Sequence, residues 1–189
     1  MDSFIRGVAT LSRACGVVSA LLIAISVLVV THMVFMRYGL GRATVWQTEF
    51  VIYALIGATL IGSPYVLLHR GHVNMDVVPL YSGPRLRWWL AVVANAGSLV
   101  FVLLLLWYGA LLWHESWVRD WHSDTVWRAP LWIPYAALPI GMALLALQYV
   151  AEILSLLSGR TLPFGLPPGR GAEALLEGAV HPLPADPRP

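Results

Sequence analysis

Apolar residues along this chain fall into four long blocks, Ala14–Met36, Phe50–Leu68, Trp88–Trp113 and Pro130–Ala151, and none of them contains Asp, Glu, Lys or Arg. A helix rising 1.5 Å per residue needs about 20 residues to cross a hydrocarbon layer of about 30 Å, and every block is close to or above that length. The pattern predicts an all-α integral membrane protein with four transmembrane helices, at about 14–36, 48–68, 88–113 and 130–157. Ahead of the first block, Phe4, Ile5, Val8 and Leu11 recur at helical spacing with Arg6 and Arg13 off that face. That spacing suits a short interfacial helix over residues 1–13, and equally the first turns of helix 1. The block behind Arg6 and Arg13 is longer than a signal-peptide core and lacks a small-x-small cleavage site, so it reads as a retained signal anchor.

The connections differ in character. Arg37–Glu49 is short and carries Gly39 and Gly41, which predicts a tight helical hairpin. His69–Arg87 holds a small apolar cluster (Val73, Met75, Val77, Val78, Leu80, Tyr81) closed by Ser82-Gly83-Pro84. It is too short to span, and an interfacial helix or turn between helices 2 and 3 fits it. His114–Arg128 contains Trp117, Trp121 and Trp127, residues that favour the headgroup layer. Pro130 and Pro134 fall where helix 4 begins, while Pro139 lies deeper and should kink it. From Gly159 the sequence is rich in Pro and Gly without a sustained apolar period. The expected organisation is therefore a membrane domain over 14–158 and a disordered tail over 159–189.

Composition supports the membrane reading. Hydrophobic residues make up 58% of the chain and charged ones 12%, about half the charged share of an ordinary soluble domain. The basic residues are all Arg and are scattered between the spans and not grouped, so the net charge of +2 reports no partner; the spans themselves imply the lipid bilayer, and nucleic acid is not expected. Cys15 is the single cysteine, which excludes an intramolecular disulfide and dithiol redox chemistry. Arg6, Arg13, Arg70, Arg85, Arg87, Arg160 and Arg170 flank the spans on one side. Arg37, Arg42, Arg119 and Arg128 lie opposite, diluted by Glu115, Asp120 and Asp124. That asymmetry predicts both termini in the cytoplasm.

Few residues offer chemistry. His32 and His114 lie near the same ends of helices 1 and 3, the arrangement a membrane b-haem needs, although a histidine at a span end is usually just interfacial. His69-Arg70-Gly71-His72 with Asp76 supplies too few ligands for zinc, and Arg70 adds repulsion. No phosphate loop, nucleophile motif or paired intramembrane carboxylate is present, so no catalytic residue, metal or cofactor is expected. The span centres are Leu, Val, Ile, Ala and Gly; Asn95 is the strongly polar exception, with a helix–helix hydrogen bond as its expected role. Ala54, Ala58 and Gly62 form a small-residue stripe on helix 2, and Ala137 and Gly141 begin another on helix 4, each suited to packing within this chain or against a partner. Arg37, Trp46, Glu49, Gln148 and Glu152 stand at span boundaries as structural or subunit-interface candidates. A Glu49–Arg37 pair across the hairpin would contribute about 0–1 kcal/mol.

An ordered set of short motifs carries a family resemblance. It comprises Met36-Arg37-Tyr38, Trp46-Gln47-Thr48-Glu49-Phe50, Gly57-Ala58, Arg70-Gly71-His72-Val73 with Asp76-Val77, and Ser116-Trp117. Pro130-Leu131-Trp132, Pro139-Ile140-Gly141, Leu144-Leu145 and Gln148 complete it. On a four-span frame this resembles the small-permease (Q) component of tripartite ATP-independent periplasmic, or TRAP, transporters. The resemblance implies a non-catalytic bacterial inner-membrane subunit that scaffolds a large TRAP membrane subunit. A periplasmic solute-binding protein would deliver an organic acid to the pair, and cation (sodium) coupling would drive import. It also places Arg37, Trp46, Glu49, Arg70, His72, Asp76 and Gln148 among the residues worth locating. The third connection, Asp120-Trp121-His122-Ser123-Asp124, departs from the family pattern of an acidic residue followed by Ser. The competing expectation is a haem-bearing membrane anchor of a respiratory dehydrogenase.

Overall fold

A computed structural model describes residues 2–69 and 84–158, and it is helical throughout apart from its connections. Helix α1 spans Asp2–Val34 and runs into a π-helical turn, Phe35–Gly39. Helix α2 spans Gln47–Leu68, α3 Pro84–Val118 and α4 Trp132–Leu157. All four are long and apolar enough to cross a membrane, and no strand occurs among the described residues beyond an isolated bridge between His122 and Pro130.

No proline interrupts residues 2–34, and Val8, Ser12 and Cys15 bury one continuous face across Arg13. Residues 2–13 are thus the first turns of α1 and not a separate interfacial helix. Helix α3 also outruns its expected span, at 35 residues and about 52 Å. Its C-terminal end carries a Glu115–Arg119 ion pair of 3.1 Å at i,i+4 spacing, and Trp113 lies tilted beside Trp117, their centroids 6.2 Å apart. The first connection is a hairpin whose backbone reverses at Gly41 (φ +61°), while Arg42 N–H donates to the Met36 carbonyl at 3.0 Å. Such a φ suits glycine and penalises other residues.

The chain forms two compact units, Met1–His72 with Ser98–Ala151, and Val73–Gly97 with Glu152–Pro189. The first holds the apolar core, where Val102, Met142, Leu145 and Ala146 are buried with Leu60, Leu99 and Leu138 around them. In the second, Ala91 is buried and Trp88 meets Trp89 edge to face at 5.1 Å. Asn95, expected to reach another helix, donates instead to its own Ala91 carbonyl at 2.8 Å, the nearest acceptor for an amide in an apolar span. The apolar cluster of the second connection, with Arg70, His72 and Asp76, and the tail from Gly159 lie outside the described residues.

Candidate functional site: helix contacts at mid-span and at the loop end

Helix α2 is packed tightly at its middle. Ala54, Ala58 and Gly62, four residues apart, bury one face, and Ser19 of α1 lies on it. The Ser19 hydroxyl donates to the Ala58 carbonyl at 2.7 Å, and a Cβ placed on Gly62 would stand 2.7 Å from that same hydroxyl oxygen. The stripe is therefore filled by this chain's own first helix, and only small residues let the two backbones approach so closely. On its other side α2 meets α4. A Cβ on Gly141 would lie 2.6 Å from the Leu60 carbonyl oxygen, closer than real side chains tolerate. Between α3 and α4, a Cβ on Gly109 would fall 2.9 Å from the Leu138 side chain. Toward the opposite end from the loops, the Ser12 hydroxyl donates to Gln148 Oε1 at 2.8 Å, with the two residues 2% and 3% exposed. A buried amide needs such a partner, and Gln148 finds it on α1.

The loop end is built differently, by long side chains. Glu49 accepts a 3.1 Å hydrogen bond from the Ser123 hydroxyl, which also bonds Thr125 at 3.0 Å. The sequence places Glu49 opposite Arg37, but the carboxylate reaches the third connection instead, and Arg37 forms no ion pair among the described residues. Trp46 packs against Phe50 (6.0 Å between centroids) and Trp127 (6.4 Å), and Trp117 against Trp132 (4.7 Å). The 119–131 connection is folded on itself. Trp121 N–H donates to the Ser116 carbonyl, Ser123 N–H to Ala129 and Leu131 N–H to Trp121, at 2.9–3.1 Å. Asp120 (φ 50°) and Arg128 (φ 48°) make its turns in the left-handed region, which Asp accepts readily and Arg does not. Its residues from Asp120 to Thr125, with Arg128, line an open polar cavity of about 460 Å³.

Sequence reasoning missed Ser12, Ser19 and Ser123, because serine in a span or loop carries no distinctive pattern until its partner is known. It also missed the burial of Gln47, 5% exposed, whose Oε1 has no hydrogen-bond partner among the described residues, like Ser116 Oγ and Trp113 Nε1 nearer the end of α3. Among the described residues, carboxylates occur at span ends and in loops but never at mid-span, and His32 and His114 are both exposed. No cluster of three potential metal ligands is present among these residues.

Four apolar helical spans, closed against one another at mid-span, define a multi-pass membrane protein. The chain belongs to the family of tripartite ATP-independent periplasmic transporters, DctQ component, whose family model matches residues 26–159. It is a transporter component and not an enzyme, and the haem-anchor expectation finds no support. The C4-dicarboxylate TRAP transporter small permease protein DctQ of Vibrio cholerae serotype O1 is 29% identical over 148 residues, which is 67% of this chain and 64% of that one. The match thus reaches over less than two thirds of that relative's length. No solved structure matches the chain.

Proposed function

We propose that this chain is the small inner-membrane subunit of a sodium-coupled tripartite transporter, and that it anchors the large membrane subunit while a periplasmic binding protein delivers an organic acid. A C4-dicarboxylate, named for the Vibrio cholerae relative, is the first substrate to try. The observation that carries the reading is the packed mid-span. The Ala58 carbonyl faces a serine and the Leu60 carbonyl faces a glycine, so neither is presented to a water-filled path. Transporter subunits that bind solute or ions hold polar side chains or open carbonyls at that depth. Both termini lie in the cytoplasm in this reading, with 37–49 and 119–131 periplasmic.

Reconstitution tests it. The isolated chain in liposomes under a sodium gradient should take up no C4-dicarboxylate, whereas uptake should appear when the large subunit and binding protein are added. In cells with a permeabilised outer membrane, Val126→Cys in a Cys15→Ser background should react with an impermeant thiol reagent and Ser82→Cys should not. Uptake by the chain alone would end the anchor reading, and labelling only at position 82 would invert the topology.

A further inference from the structure

Two features of the α2–α4 contact belong together. Pro64 lies inside α2 and is fully buried. Proline has no N–H, so it withdraws the helical donor that the carbonyl four residues earlier would receive, and its ring pushes that carbonyl away from the helix axis. The carbonyl in question is Leu60. It is the group that Gly141 of α4 approaches, so closely that a Cβ added to the glycine would stand only 2.6 Å from its oxygen and 2.8 Å from its carbon. The Leu60 Cβ would be as close, at 2.9 Å, so the bare face of Gly141 lies against the side of the Leu60 peptide, and only a residue without a side chain leaves room for it there.

We infer that Pro64 and Gly141 act as one device: Pro64 turns the Leu60 carbonyl out of α2, and Gly141 receives it, fixing where α4 crosses α2 at mid-membrane. A proline in this position would ordinarily leave a polar group in hydrocarbon, which lipid cannot satisfy. Glycine on α4 is the residue that leaves room for the displaced Leu60 peptide and shields it from lipid. Each residue makes sense only beside the other. The device belongs to the chain's own fold and stands whether or not the anchor reading holds.

A double-variant cycle on the full-length chain purified in detergent tests it, with Cys15 as the reporter. That thiol is buried, 6% exposed, and becomes reactive to a fluorogenic maleimide when the protein unfolds. Gly141→Ala should lower the midpoint by on the order of 5 °C, since backbone has to move. Pro64→Ala restores the N–H and lets the Leu60 carbonyl return to its helix, so the Pro64→Ala/Gly141→Ala protein should recover at least half of that loss. Leu60→Gly removes the side-chain Cβ, which would stand 2.9 Å from the added carbon, but leaves the carbonyl; measured against Leu60→Gly alone, its combination with Gly141→Ala should rescue nothing. If Gly141→Ala does not accumulate in the membrane, restored accumulation of the double variant gives the same answer. Equal losses from Gly141→Ala with and without Pro64, or rescue by Leu60→Gly, would overturn the device in favour of simple crowding.

Discussion

The mid-span and the loop end of the first unit hold helices together by opposite means. At mid-span the contacts involve backbone carbonyls, a serine hydroxyl and positions where even one added carbon would collide. At the loop end they involve Glu49, Ser123 and a set of tryptophans, long groups that reach across gaps and can be exchanged without moving a helix. The difference follows from the solvent. Lipid gives no hydrophobic drive for helix association, so close packing has to supply it, whereas the headgroup zone rewards amphipathic aromatic and charged side chains. Tolerance to substitution should therefore be poor at mid-span and good at the loop end.

The largest effect is expected from Ala58→Leu. Its extra carbons enter a face only 3% exposed, where Ser19 already touches the Ala58 carbonyl, and overpacking of this kind costs about 1–3 kcal/mol or more. Early exposure of Cys15 to maleimide on heating would register it. An intermediate effect is expected from Glu49→Ala, which removes the acceptor of Ser123 and costs about 1 kcal/mol. Its signature is faster proteolysis within 119–131 and a melting midpoint lowered by a few degrees, less than for Ala58→Leu, with Glu49→Gln close to wild type. Trp127→Phe should be smallest, within about 0.5 kcal/mol, because a ring still meets Trp46. Chemical denaturation followed by intrinsic fluorescence measures it. A Trp127→Phe loss equal to that of Ala58→Leu would erase the distinction between the two regions.

The spans are legible in the sequence because a helix in lipid has to be apolar over a fixed length, and Ala54, Ala58 and Gly62 are legible because their four-residue spacing has a geometric meaning. What fills that stripe is not. Nothing in the order of residues distinguishes Ser19 from any other serine in α1, and Asn95 carries a polar group whose acceptor depends on a rotamer. Glu49 stands out as a boundary residue, yet its neighbour across the hairpin, Arg37, is not its partner. The folded third connection brings Ser123 to it across a separation of 74 residues. Helix ends are hidden for a related reason: a charged residue such as Glu115 reads as the end of a span, but a helix can run on past the apolar stretch, as α3 does to Val118.

The Ser12–Gln148 hydrogen bond joins positions 136 residues apart, one in the first helix and one in the last. During synthesis Ser12 reaches the membrane long before its partner exists. At about 5–20 residues per second the ribosome needs on the order of ten seconds to deliver Gln148. For that interval the Ser12 hydroxyl lacks the partner it has in the finished protein. Arrival of α4 closes the bond, so the first helix reaches its final hydrogen bonding only when the last helix is in place.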